Sequence, residues 1–514
     1  MRRKLPIGIQ TFREIREEGC YYVDKTAFAK RLVDEGKHYF LSRPRRFGKS
    51  LFVDTLKELF EGNEPLFRGL AVHRDWPWSV RHPVVRLDFS AGVYTSPEDV
   101  HRATMAQLDA IEEDAGVPGR YDTAPERFRH LIRALHRHTG QRVVVLVDEY
   151  DKPILDAFGT PETARANRDF LRGLYSTVKF ADAHVRFSFF TGVSKFTKVS
   201  LFSDLNNLTD LTLDAPFSSI CGYTEEDLDA VFAPELDGLD RDRIREWYNG
   251  YNWLGGERVY NPFGLLLLFR SRRFKAHWFE TGTPSFLIDT LLTQQVFAPA
   301  LDGMLGADDL LSKFDVDDIG PEALLFQTGY LTIVGEEDLG GQPLYRLGYP
   351  NREVRQGLHA HLLRAMTPSD ANHLMTSLRL RELLAANDFA GIDALFRGFF
   401  AGIPYEWHTN NSIAAYEGYY ASLFYSHFAA AGLEVVVEDS TSRGRVDLAV
   451  RFHGAVYLFE FKVVESQPGG RALAQLQERG YADKYRDLGR PIHLIGVEFS
   501  RTERNVSAFA VASA

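Results

Sequence analysis

The sequence predicts an α/β protein built in three parts, on three observations. Short apolar, β-branched runs alternate with amphipathic stretches over residues 1–215. Residues 216–400 read as mostly helical and rich in aromatics, and 401–514 return to a compact α-β-β-β-α-β order. At 514 residues the chain is too long for one ordinary core, so divisions at about these positions are expected.

Taken in order, 38–41 is a β-prone run, a loop follows, and 51–60 is an amphipathic helix. Residues 83–89 read as a strand and 97–115 and 124–138 as helices. Val143 to Val147 is a continuous β-branched run, as in a strand buried on both faces. A helix at 162–181 and a strand at 185–191 complete a parallel α/β pattern. In the middle, 324–334 and 344–347 read as a small β element among helices, and its aromatics, including Trp247-Tyr248-Asn249-Gly250-Tyr251, read as core. A helix at 413–431, strands at 433–438, 445–452 and 455–462, a helix at 470–486 and a strand at 491–498 close the chain.

Apolar residues make up 45% and charged residues 25%, as in ordinary globular proteins. The two cysteines, Cys20 and Cys221, have no metal-ligand spacing, which argues against a disulfide framework or a cysteine-based zinc site. The longest apolar run, 263–269, is too short to cross a bilayer, so no membrane association and a cytoplasmic location are expected. Net charge is −10, yet residues 1–50 carry 13 Lys/Arg against 6 Asp/Glu. Residues 401–514 are near neutral, with 11 against 13. The sixteen histidines show no ligand spacing; His136 and His138, two apart on a helix, do not share a face.

Two segments carry chemistry. Arg45-Arg46-Phe47-Gly48-Lys49-Ser50-Leu51 joins a strand to a helix. There, backbone N–H groups and the helix N-terminus can cradle phosphates, Lys49 can reach the terminal phosphates and the Ser50 hydroxyl can bind Mg²⁺. The full phosphate-loop pattern puts a glycine at position 43, where this chain has Arg43. About a hundred residues on, the strand at 143–147 runs into Asp148-Glu149, which assigns Asp148 to the metal and Glu149 to the attacking water.

The second segment lies near the end. Asp447 falls on one expected strand and Glu460-Phe461-Lys462 ends the next. Period-2 geometry puts Glu460 and Lys462 on one face and turns Phe461 to the other. Two hairpin-related strands then bring Asp447 and Glu460 around one Mg²⁺ or Mn²⁺, which would polarise a phosphodiester and activate water. Lys462 would orient the nucleophile or offset phosphate charge. The alternative is a solvated salt-bridge ladder on an exposed hairpin, disfavoured because these charges sit in an apolar strand.

Arg43-Pro44-Arg45-Arg46-Phe47-Gly48-Lys49-Ser50, Asp148-Glu149-Tyr150-Asp151-Lys152-Pro153 and Thr191-Gly192-Val193-Ser194-Lys195-Phe196 resemble the AAA-ATPase-like family, in which an ATPase is fused to a PD-(D/E)XK nuclease domain. The resemblance covers nearly the whole chain and shares the missing first glycine. It implies an additional-strand ATPase core, a helical lid or linker region and a restriction-endonuclease-like C-terminal domain. It also implies a polar phosphate sensor at Thr191 or Ser194, either of which can equally be a core hydrogen-bonding residue. Arg45 and Arg46 would contact phosphates or a neighbouring subunit's nucleotide, unless they form a solvated turn. Asp88 is either an outer metal ligand or a helix cap. In the nuclease domain Glu417 resembles the acid that completes the metal site. Tyr481 together with Gln475 or Gln477 resembles an accessory element, Gln477 and Tyr481 being four apart on one helix face.

The resulting expectation is an ATP-gated, Mg²⁺-dependent nuclease acting on nucleic acid, DNA by preference, with a homo-oligomer as one expected form. The alternative is a regulatory ATPase whose C-terminal domain binds nucleic acid or a protein partner without cutting.

Overall fold

A computed structural model describes residues 2–195, 201–202, 207–278, 285–294, 296, 298–307, 311, 320–366, 373–402, 417–441, 444–465 and 469–514. The chain divides into two compact units, Met1–Gly282 with Met304–Asn351 and Thr283–Gly303 with Arg352–Ala514. The stretch expected to form the middle region is thus shared between them.

The first unit is built on a five-stranded sheet. Its strands are β1 (His38–Ser42), β2 (Val84–Asp88), β3 (Val143–Asp148), β4 (Val185–Gly192) and β5 (Thr209–Asp210). They lie in the order β2-β3-β4-β1-β5 with every pairing parallel. β4 therefore stands between β1 and β3, as an additional-strand core requires. Every residue of β1 and β3 is buried, because helices cover both faces of a parallel sheet. Four of those helices are α1 (Lys49–Phe60), α2 (Pro97–Ala115), α3 (Ala124–Thr139) and α4 (Pro161–Phe180). Ser96 caps α2 by accepting from the Asp99 N–H, with Pro97 at the first helical position.

A three-stranded sheet of β6 (Leu305–Ala307), β7 (Thr332–Leu339) and β8 (Gln342–Gly348) also belongs to this unit. The expected strand at 324–334 is corrected: Pro321–Thr328 is a helix, ended by Gly329 at φ +87°, and the strand starts only at Thr332. An apolar run of that length does not distinguish a buried helix from a buried strand. The aromatics of the middle are core, with Trp247, Tyr248, Tyr251, Trp253 and Tyr260 all buried.

The second unit carries the helix α5 (Glu417–Ala430) and a sheet of β9 (Glu434–Thr441), β10 (Gly444–Phe452), β11 (Ala455–Val464), β12 (Ile492–Ser500) and β13 (Asn505–Ser513). The order is β13-β12-β11-β10-β9, antiparallel except for the central β11–β12 pair. That parallel pair needs a crossover, supplied by the helix α6 (Arg471–Glu478) and a 3₁₀ turn at Tyr481–Leu488. The helix expected over 470–486 thus ends at Glu478, because Gly480 takes φ +59° and breaks it. Gln477 and Tyr481 consequently do not ride one helix face. β13 was not anticipated; its small and apolar residues lack a turn signal of the Asn-Gly type before them.

Candidate functional sites

The first site lies where β1 passes into α1. Arg46 and Gly48 hold the loop in the left-handed region, at φ +70° and +96°. Position 43 is not left-handed, so no glycine is needed there. Arg43 is instead fully buried. Its guanidinium donates to the carbonyls of Ser42, Thr212 and Phe217 at 2.8, 2.9 and 3.2 Å and lies 4.1 Å over the Trp253 ring. Burial pushes its pKa down to about 10. The same downstream segment grips the rest of the loop. Phe47 packs edge-on against Tyr251 and Trp253, and the Trp278 indole and Asn261 amide donate to the Arg45 carbonyl at 3.1 and 3.4 Å.

Lys49 points back along the loop and donates to the carbonyls of Arg43 and Pro44 at 3.0 and 3.3 Å, with Glu149 Oε1 3.5 Å from its ammonium. A cleft of about 410 Å³ opens here. Arg45 through Leu51 and Glu149 line it, together with the apolar Ile9, Val23 and Phe263 and with Tyr223. Asp148 is wholly buried at the tip of β3. Burial and then the Glu149 charge raise its pKa to about 6, against the Ser50 hydroxyl, which hydrogen-bonds it. Its Oδ1 accepts from the Glu149 N–H at 3.0 Å, while Oδ2 is buried without a hydrogen bond.

Thr191 and Ser194 do not line that cleft. The Thr191 hydroxyl donates to the Leu41 carbonyl at 2.8 Å, and that of Ser194 to the Asp151 carboxylate. Asp151 also accepts the N–H groups of Val193 and Ser194 at 3.1 and 2.6 Å, tying the end of β3 to the end of β4. Asp88 caps no helix. It accepts the Ser90 N–H at 2.8 Å and shares Arg86 with Asp54, and the Arg86 guanidinium stops 3.7 Å from Asp148 Oδ2. Asp54, Arg86 and Asp151 were missed as members of this neighbourhood; only the third acid of Asp148-Glu149-Tyr150-Asp151 could have flagged one of them.

The second site forms across β10, β11 and α6. Asp447 lies one residue before the Leu448–Phe459 pair, which places it beside Glu460, and its Oδ2 accepts the Phe461 N–H at 2.8 Å. Phe459 and Phe461 face away and pack on Phe428 and Phe424 of α5. Glu460 is 1% exposed. Lys462 donates to its Oε1 at 3.0 Å, and the Gln475 amide donates to the same oxygen. Oε2 is buried with no hydrogen bond. Burial, then Asp447, push the Glu460 pKa up to about 7. Of the two glutamines, it is Gln475 that reaches Glu460.

Tyr481 belongs to the hydrophobic core with Val446 and Leu476, and its hydroxyl end lies closest to Gly444. Glu417 opens α5, and its side chain lies outside the described residues. Glu498 was not anticipated. It pairs with Lys462 in register, is buried, and accepts the N–H groups of Gly469 and Ala472 at 2.7 and 3.3 Å, so it seats the start of α6. A Cβ at Gly496, opposite Glu460, would fall 2.3 Å from the Leu473 nitrogen, so α6 lies directly on the β12 backbone.

Residues 6–202 match the family model described as "Predicted AAA-ATPase", and residues 415–509 match that of the PD-(D/E)XK nuclease superfamily. The uncharacterized protein in the vnfD 5′ region of Azotobacter chroococcum mcd 1 is 60% identical over 514 residues, covering 100% of this chain and 99% of that protein. The chain belongs to the AAA-ATPase-like family with a PD-(D/E)XK nuclease superfamily domain. No solved structure matches it.

Both sites of this ATPase–nuclease-superfamily chain fit a divalent cation by the same test, a buried carboxylate oxygen lacking a donor, at Asp148 Oδ2 and Glu460 Oε2. Among the described residues, no group of three or more His, Cys, Asp or Glu is assembled for a metal, and the nuclease-type site presents two carboxylates, Asp447 and Glu460. No described helix is long and apolar enough to cross a membrane.

Two outcomes are expected. Arg43→Gly completes the general phosphate-loop pattern, yet it strands buried carbonyls. It should lower stability by at least about 3 kcal/mol in denaturant melts, at one to three per unsatisfied group. For Glu460 the folded pKa of about 7 exceeds the ordinary glutamate value of 4.5. The folded state therefore holds the extra proton, and stability falls as pH rises through that window. In chelator, Glu460→Gln should gain roughly 2–3 kcal/mol over the parent at pH 8 relative to pH 4.5, read from melts at both values.

Proposed function

We propose that this chain is an ATP-binding and ATP-hydrolysing protein coupled to a Mg²⁺- or Mn²⁺-dependent nuclease that cleaves phosphodiester bonds, in DNA by preference. The observation that carries the reading is the meeting of Asp447, Glu460, Lys462 and Gln475 at one point of the sheet, with Glu460 buried among apolar neighbours of β11. Asp447 and Glu460, with Glu417 as the third acid, would hold the cation. When bound, it supplies charge stabilisation for the phosphate and an activated water. Lys462 stands where it can orient that water or meet the developing phosphate charge. Gln475 orients Glu460, keeping one oxygen occupied and the other open to the cation.

In the ATPase unit, Arg45 through Leu51 would hold the phosphates, with Ser50 and Asp148 at the Mg²⁺ ion and Glu149 at the water. Lys49 would exchange its loop carbonyls for the terminal phosphates. Thr191 and Ser194 would act on the nucleotide only if their present hydrogen bonds were remade.

A second reading, a regulatory ATPase whose C-terminal unit binds without cutting, is favoured by one observation. Arg445, Arg451, Lys484, Arg486 and Arg501 of that unit are each ion-paired internally. The deciding experiment incubates the full chain with single- and double-stranded DNA and RNA, with and without ATP and Mg²⁺. Wild type should cleave, Glu460→Ala should fall to background, and Lys462→Ala should lose about 10²–10³-fold. Equal cleavage by all three would sink the nuclease assignment. Phosphate release by wild type, abolished in Glu149→Gln, separates hydrolysis from binding alone.

A further inference from the structure

Helix α3 and the turn after it form a strongly basic stretch of the first unit. Residues 127–142 hold five arginines and three histidines with no Asp or Glu, in a chain of net charge −10. The apolar face of α3 buries Phe128, Leu131, Ile132 and Leu135. Arg129, Arg133 and Arg137 recur at four-residue spacing and therefore form a row off that face. Of the five arginines only Arg127 is ion-paired, to Asp109 and Glu112; among the described residues the other four make no ion pair.

Further titratable groups lie at the foot of the row. His136 Nδ1 lies 2.8 Å from His184 Nδ1, and His184 also feels Arg133 and Arg137. Arg186 on β4 sits against the charge of Arg142, with Asp34 as the opposing acid, and the His82 ring bonds the Arg142 carbonyl at 2.8 Å. Uncompensated like charges repel, so a surface of this kind gains most from an anion laid across it.

We propose that the Arg129–Arg133–Arg137 row, with Arg142 and Arg186 at its foot, is a docking surface for the phosphate backbone of a nucleic acid. The three row residues span about 12 Å at 1.5 Å per residue, the length of three to four phosphates of one strand. Arginine suits this task because its planar fork pairs two phosphate oxygens and stays charged. Without base-reading side chains in the row, the contact is to backbone and is indifferent to sequence. The inference rests on the nucleic-acid reading above and adds the surface that supplies affinity.

The test is fluorescence anisotropy of the full chain on a labelled DNA duplex, in chelator, across a salt series. Arg129→Gln/Arg133→Gln/Arg137→Gln should weaken binding at least about tenfold at 0.1 M salt and flatten the salt slope by about 2–3, at roughly 0.9 per phosphate contact. Arg451→Gln, at a residue already paired with Glu434, should match wild type. If the triple variant does not fold, Arg137→Glu/Arg142→Glu, at exposed positions, must show the same loss. Unchanged affinity and slope overturn the surface. So does retained DNA binding with lost binding of a poly-glutamate peptide, which would assign the row to an acidic protein. Failure of wild type to bind DNA or RNA overturns the nucleic-acid reading along with it.

Discussion

A buried carboxylate oxygen without a hydrogen-bond donor is costly, and this chain keeps one at each of two sheets. Asp148 ends a strand that is buried throughout, and Glu460 lies in an equally apolar one. In each case one oxygen accepts a hydrogen bond while the other does not, and burial drives the pKa upward. The penalty disappears when a cation takes the open oxygen, so the energetics of both sheets point to a charged ligand. Neighbouring residues preserve this state. Arg86, held by Asp54 and Asp88, stops just short of Asp148, and Gln475 and Lys462 crowd one oxygen of Glu460 and leave the other.

The phosphate loop shows how a departure from a general pattern is absorbed. A glycine at its first position serves loops that need backbone freedom there, and this loop places that freedom at Arg46 and Gly48 instead. Arg43 then becomes a buried cross-tie to residues 212–217 and Trp253. The aromatic segment that reads as ordinary core is therefore also the outer wall of the loop. A change in Tyr251, Trp253 or Trp278 acts on the loop that Phe47 and the Arg45 carbonyl anchor.

In the nuclease-type unit a comparable division holds between the residues of the Asp447–Glu460 cluster and the residues that place them. Glu498 and Gly496 touch no candidate metal oxygen, yet they decide where α6 begins and how closely it lies on β12. Gln475 reaches Glu460 only from that seat. Tyr481, grouped with Gln475 by resemblance, follows the break at Gly480 and packs into the core instead.

Local periodicity by itself determined much of this protein. Apolar and β-branched runs marked β1 to β4 and β9 to β12, amphipathic stretches marked most of their helices, and period-2 spacing put Glu460 and Lys462 on one face, because these patterns are properties of neighbouring residues. Tertiary structure alone decided the rest. Which glutamine reaches Glu460, why Arg43 replaces glycine, where the hydroxyls of Thr191 and Ser194 point, and that Arg86 and Asp54 stand behind Asp148 all depend on residues tens to hundreds of positions apart. Such contacts are set by how elements pack, and packing leaves no signature in the spacing of either partner.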